Sequence, residues 1–284
     1  MIEDFAGKTA VITGGASGIG LALVRRLGQE GANVVVADVE AGALERTATE
    51  LDNAGVPNLA VLTDVTDQAQ ITALADAAEQ RFGPVHLLHN NAGVTTVGLA
   101  EEQSDAQWDW VLQVNLLAVI AGCRTFLPRM KAHGEAAHIL NTASMAGMAG
   151  GPFMAPYFTT KFAVVGLSEG LWHEAQMVQS NVGISVLCPA FVRTGIARSD
   201  RNQPDTMGGW VVPESQLGSK VGEHLTAGVD AGIEPSAVAD AIVAGIREDK
   251  LWILTHPESA DSIRSRSDAI VSTGKPAQVR NLGN

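Results

Sequence analysis

The sequence predicts an α/β fold, a single doubly wound domain on a mostly parallel sheet of seven strands. Three observations carry this. Short β-branched runs alternate with helical patterns along all but the last part of the chain. The runs are apolar throughout instead of alternating with polar residues, so both faces of the sheet are covered. Between most runs lies enough chain for a crossover helix, which makes neighbouring strands parallel and the crossovers right-handed.

The first strand is expected at 9–13, followed by a helix over about 18–30. A β-branched run at 33–38 gives the second strand, and an amphipathic stretch at 41–53 the second helix. Further strands are expected at 60–63, 85–89, 137–142, 183–188 and 251–254, with helices at about 67–82, 104–132, 157–179 and 236–248. No linker, repeat or low-complexity tract divides residues 1–284. A Gly- and Pro-containing insertion at about 194–234 reads as irregular, and insertions of that length usually serve a site. It is the candidate for a lid over cofactor or substrate. The C-terminal extension, about 256–284, is polar and weakly patterned from 259 onward.

Composition excludes several classes of function. The hydrophobic share of 46% and charged share of 18% are ordinary for a globular protein. The net charge is −12 and the 19 basic residues form no run, which argues against nucleic acid and anionic membranes as partners. Two cysteines, Cys123 and Cys188, make no disulfide framework and suit a reducing cytoplasm. The acidic start, Met1 to Phe5, does not read as a signal peptide. The apolar stretch 111–127 is interrupted by Gln113, Asn115 and Arg124, so it reads as a buried helix and no membrane span is expected. The histidines lack metal-ligand spacing and no metal is expected. A Gly-x-Ser-x-Gly elbow is also missing, which disfavours a serine hydrolase.

Two motifs carry chemistry. The first strand runs into Thr13-Gly14-Gly15-Ala16-Ser17-Gly18-Ile19-Gly20 and then a helix. Glycine permits the tight turn and close approach of a pyrophosphate, while the helix offers free N–H groups and a positive dipole end. Asp38 ends the second strand, where a carboxylate can accept from both ribose hydroxyls and repel a 2′-phosphate. Neither Val39 nor Ser17 supplies a positive charge, so NAD is expected over NADP. The second motif is Tyr157, the chain's one tyrosine, four residues before Lys161. Residues i and i+4 share a helix face, and a nearby ammonium favours the ionised phenol. The pair can exchange a proton with an alcohol or carbonyl oxygen.

Together these motifs make the chain resemble the short-chain dehydrogenase/reductase family over roughly residues 5–255. Further residues agree in order and spacing: Asp64 and Val65 after strand three, Asn90-Asn91-Ala92-Gly93 after strand four, Asn115, Ser144, Pro189, and Val192-Arg193-Thr194. The resemblance implies a Rossmann-type oxidoreductase with Tyr157 as general acid/base and Ser144 orienting the substrate oxygen. Lys161 would hold the nicotinamide ribose, and Asn115 a water linking Lys161 to solvent. It implies cofactor contacts by Gly14, Ser17, Gly18, Ile19, Gly20, Asp38, Asp64, Val65, Asn91, Ala92, Gly93, Tyr157, Lys161, Pro189, Val192 and Thr194. Assembly as a homo-oligomer, tetramer or dimer, would pair the helices at about 104–132 and 157–179. Two positions depart from the family pattern. The dyad encloses Phe158-Thr159-Thr160, and Ala190 stands where glycine is usual after Pro189, which is expected to alter that turn.

Ser144, Met145, Phe153, Met154, Tyr157, Phe191 and Trp210 are candidates for an apolar substrate pocket, with Met148 and Met207 beside them. The expected substrate is a hydrophobic secondary alcohol or its ketone. The segments 232–235 and 251–257 resemble a branch acting on bulky aryl or alicyclic alcohols, including bacterial enzymes that oxidise lignin-derived aryl alcohols. The alternatives are an NADP-dependent ketone or 3-oxoacyl reductase, and a non-catalytic nucleotide sensor on the same fold.

Overall fold

Seven strands form one sheet: β1 (Thr9–Thr13), β2 (Asn33–Asp38), β3 (Asn58–Leu62), β4 (Val85–Asn90), β5 (Ala137–Thr142), β6 (Val182–Cys188) and β7 (Trp252–Leu254). Their order is β3-β2-β1-β4-β5-β6-β7 and every described pairing is parallel. The expectation of a mostly parallel sheet therefore sharpens to a wholly parallel one. These positions come from a computed structural model that describes residues 2–204 and 215–276. From β1 the chain steps outward to β3, then returns to lay β4 against the other side of β1. That reversal opens a crevice at the carboxyl ends of the strands, where ligands bind in sheets of this kind.

The helices are α1 (Gly18–Gln29), α2 (Ala41–Asn53), α3 (Gln68–Phe82), α4 (Asp105–Leu112), α5 (Ala118–His133), α6 (Ala155–Met177), α7 (Gln216–Asp230), α8 (Pro235–Arg247) and α9 (Ser259–Ser272). Successive side chains of a strand point to opposite faces, and β1 divides its residues accordingly. Val11 joins a core with Phe126, Met130, Val164 and Ile184 beneath α3, α5 and α6. Ala10 and Ile12 join a second core with Leu23, Leu27, Ile242 and Ile246 beneath α1 and α8. α8 shows why such a segment is helical. Val238, Ile242 and Ile246 recur every fourth residue and are fully buried on one face. Each of those large side chains contributes about 1.5–3 kcal/mol on burial.

β3, expected at 60–63, starts two residues earlier, and four further expectations change. The helix expected over 104–132 contains a π turn, Gln113–Leu117, between α4 and α5. The combined helix, Asp105–His133, is long and apolar enough to cross a membrane by composition alone, but more than half of its most apolar window is buried inside the protein. The region 194–234 is not wholly irregular, since it holds a 3₁₀ turn (Ile196–Asn202) and α7. The polar extension forms α9, a helix with one buried residue, Ser259. A helix that buries so little leaves almost no periodic apolar signal in the sequence. α6 begins at Ala155, two residues early, because Pro156 is well suited to a first turn.

Candidate active site

The carboxyl ends of the strands open into a cleft of about 680 Å³. At one end lies the glycine turn. Gly14 has φ +60°, and a Cβ on it would stand 2.9 Å from Ala92 Cα. A Cβ on Gly20 would stand 2.2 Å from the Gly14 carbonyl oxygen. Backbone meets backbone here, and only glycine fits. Ser17 is the N-cap of α1 but makes no side-chain capping bond, so the helix's first N–H groups face the cleft uncapped. A brace from β4 fixes the turn. Asn91 N and Ala92 N donate to Thr13 Oγ1 (2.9 and 3.2 Å), and Asn91 Nδ2 donates to Thr13 O and Gly14 O (3.0 and 3.2 Å).

Asp38 is buried at the end of β2, on the cleft wall. Its Oδ2 accepts from Ala16 N (3.0 Å) and its Oδ1 from Glu40 N (3.1 Å), so it anchors the glycine turn while keeping acceptor capacity for a ligand. Glu40 is the N-cap residue of α2. Asp64 is exposed on the same wall and accepts from Thr66 N and Oγ1 (2.9 and 2.7 Å). These residues fit a dinucleotide, whose pyrophosphate the glycine turn and α1 would hold and whose ribose diol would meet Asp38. Val39 and Ser17 carry no positive charge, but a cation from further along the chain stands on this wall. Arg201 Nε donates to Glu40 Oε1 at 2.8 Å, and Asn202 Nδ2 donates to the same oxygen at 2.8 Å. Glu40 thus offsets the charge of Arg201. A contact between residues 161 apart in the chain leaves no local trace in the sequence.

Ser144 follows β5. Its Oγ accepts from Ala146 N (3.1 Å), capping the turn Met145–Gly147, donates to Pro189 O (3.3 Å) and is hydrogen-bonded to the Tyr157 phenol. Capping and phenol contact are both present in one side chain. Burial pushes the Tyr157 phenol above its ordinary pKa, and the Ser144 bond opposes that rise. Lys161, one turn further along α6, is 3% exposed and its Nζ lies 5.4 Å from the Tyr157 ring centroid. It donates to Thr142 O at 2.9 Å, and burial lowers its pKa to about 8. In the protein alone, burial therefore outweighs the Ser144 bond and the phenol stays raised.

Asn115 sits inside the π turn, fully buried. Its Oδ1 accepts from Val94 N and its Nδ2 donates to Val94 O, both at 2.8 Å, and more weakly to Thr160 Oγ1 (3.4 Å). The side chain is therefore occupied by the backbone after Gly93 and does not line the cleft. It fixes the position of Gly93, whose Cβ would fall 3.5 Å from Asn115 Oδ1 and 3.8 Å from Lys161 Nζ.

Of the residues named for the cofactor, every one lines the cleft except Gly20, which acts by packing. Val192 bridges Ile233, and that clamp sets Thr194 against Gly18. Ala190 is not among the residues with positive φ, so the missing glycine leaves no strain there. Among the substrate candidates, Ser144, Met145, Met154, Tyr157 and Phe191 line the cleft, whereas Phe153 does not. Phe153 has φ +65° and its carbonyl accepts from Gly98 N (2.8 Å). Met148 packs against the core, and Met207 and Trp210 lie outside the described residues. Sequence reasoning missed Phe158, Thr95, Leu225, Val229, Glu258 and Ser259, which also line the cleft. Thr95 Oγ1 and Ser259 Oγ are buried without a partner. Cys123 and Cys188 are buried free thiols, pushed up to about 11 and about 12 by desolvation, so neither is a nucleophile at neutral pH.

A dinucleotide turn on a doubly wound sheet, with a serine, a tyrosine and a lysine in the same cleft, defines an oxidoreductase of the Rossmann class. The family model for short chain dehydrogenases matches residues 8–205, and the chain belongs to that family. It is 41% identical, with a TM-score of 0.95, to a short-chain dehydrogenase/reductase from Burkholderia phymatum solved in complex with NAD, covering 99% of this chain and 100% of that one. It is 35% identical over 280 residues to the C alpha-dehydrogenase of Sphingobium sp. strain SYK-6, covering 98% of this chain and 90% of the relative. It is also 32% identical over 265 residues to the 1-deoxy-11-beta-hydroxypentalenate dehydrogenase of Streptomyces exfoliatus, covering 93% and 88% of the two chains.

Proposed function

We propose that this dehydrogenase interconverts a hydrophobic secondary alcohol and its ketone with NAD, the substrate being a bulky aryl or alicyclic alcohol. The observation that carries the reading is the convergence of Ser144, Tyr157 and Lys161 on the cleft that begins at the glycine turn and Asp38. Bound NAD supplies a hydride acceptor for oxidation, and its reduced form a donor for the reverse. In oxidation the carbinol O–H and C–H bonds break. The proton passes to the Tyr157 phenolate and the hydride leaves from carbon. Ser144 orients the substrate oxygen and stabilises charge on it. The Lys161 ammonium, close to the phenol ring, favours the phenolate. Asn115 positions Gly93 and Val94, and a water held beside it would connect Lys161 to solvent.

Support for NAD comes from the Asp38 carboxylate and from the NAD-bound relative. Support for the substrate class comes from the apolar wall of Met145, Met154 and Phe191. The relative named 1-deoxy-11-beta-hydroxypentalenate dehydrogenase supports a hydroxyl-bearing carbon as the site of reaction. Assembly into dimers or tetramers through α4, α5 and α6, and a cytoplasmic setting, belong to the same reading. Arg201 favours a second reading, an NADP-dependent reductase, but only if Glu40 releases it. The test is kcat/KM with NAD and with NADP over a panel of hydrophobic secondary alcohols, followed by NADH absorbance. A preference for NAD of about tenfold or more is expected, since one unpaired or repelled polar group costs at least that. A clear NADP preference would remove the argument from Asp38.

A further inference from the structure

The C-terminal helix contributes polar residues to the cleft. Leu254 pairs with Cys188, so the chain leaves β7 at the same end of the sheet where β6 gives way to Pro189. His256 then ties the two exits together. Its Nδ1 accepts from Ala190 N (3.4 Å) and Thr255 Oγ1 (2.8 Å), leaving Nε2 to donate to Phe191 O (3.2 Å). Ser259 N donates to His256 O at 3.1 Å, which starts α9 beside Phe191 on the cleft wall.

Ser259 is 2% exposed, lines the cleft, and its Oγ has no hydrogen-bond partner. A buried hydroxyl left unpaired is costly, and native proteins rarely keep one without a use. Glu258 and Ser262, joined by the bond from Ser262 N to Glu258 O, line the same wall from the same turn. Opposite chemistry comes from Leu225, Val229 and Met154, which offer no polar atom. The first turn of α9 therefore brings to the cleft a hydroxyl that can donate or accept and a carboxylate that can only accept.

We propose that Ser259 and Glu258 are specificity-determining residues that bind a second hydroxyl of the substrate, separate from the carbinol at Ser144 and Tyr157. That hydroxyl accepts from Ser259 Oγ and donates to Glu258, while a substrate carboxylate placed there is repelled. The inference rests on the alcohol dehydrogenase reading above and narrows its substrate class to hydroxylated hydrophobic alcohols.

The test uses methyl phenyl carbinol and its ring-hydroxylated and ring-carboxylated analogues, with kcat/KM measured for each in the full-length protein. The best hydroxylated analogue is expected to exceed the unsubstituted alcohol by about tenfold, the usual discrimination of one well-placed hydrogen bond. Ser259→Ala should bring that ratio to within about twofold. Glu258→Gln, at an exposed position where folding is not at stake, should lower the same ratio and admit the carboxylated analogue. Equal use of the hydroxylated and unsubstituted alcohols by the wild type overturns the inference, as do ratios untouched by both substitutions. Absence of turnover with every alcohol and either cofactor instead overturns the dehydrogenase reading, and this inference with it.

Discussion

The glycine turn at 14–20 and the segment 190–202 both line the cleft, and they are held in place by different means. At the turn, backbone packs closely on backbone, Gly14 against Ala92 and Gly20 against Gly14, with the Thr13, Asp38 and Asn91 side chains as braces. The segment 190–202 is held in part by side chains, with His256 on Phe191 and Ala190, and Arg201 and Asn202 on Glu40. Contact between backbones dictates the residue type, because any Cβ destroys it. Contact through side chains can be met by many residue pairs. The residue type is consequently dictated more tightly at Gly14 and Gly20 than at the side-chain contacts of the segment 190–202.

Tyr157, which lines the cleft between these regions, gives the largest expected effect. Tyr157→Phe should lower kcat by about a thousandfold, within the range for a lost acid/base, and leave NAD affinity within a few-fold by fluorescence titration. Retained turnover would mean that the proton goes elsewhere. Next comes Gly20→Ala, which tests the backbone side of the comparison. The added methyl must displace the Gly14 carbonyl or the helix, at a cost of about 1–3 kcal/mol in urea unfolding, with weaker NAD binding. An unchanged unfolding midpoint would contradict the close packing described. The smallest effect tests the side-chain contacts. Arg201→Ala removes a pair whose side chains are 38% and 32% exposed, so stability should change by less than about 1 kcal/mol. A larger loss would show that the segment 190–202 is as firmly fixed as the turn.

The same division explains what could be read from the sequence. The strands, the crossover helices and the glycine turn were legible because burial on both faces and tight backbone turns constrain composition directly. Asp38, Ser144, Tyr157 and Lys161 were legible by position relative to those elements, and all four line the cleft. The π turn at Gln113–Leu117 was not, since one extra residue in a helical turn leaves no compositional mark. α9 was missed because it is solvent-facing almost all round, and Ser259 with it. Arg201 and Glu40 meet only in the folded chain. Phe153 misled for a related reason: an aromatic near Ser144 reads as pocket lining, but its positive φ belongs to a loop whose Phe153 does not line the cleft.

The chain has one tyrosine, and it is the proposed proton carrier. Five tryptophans absorb in the same region of the ultraviolet, but they do not ionise. The tyrosinate difference spectrum of this protein is therefore the titration curve of a single group, without mutation or label. In the protein alone that curve should lie above the ordinary phenol range, as burial dictates. Adding NAD should move it downward if the cofactor's charge and Lys161 together favour the phenolate. The working state of the active site can thus be read by absorbance.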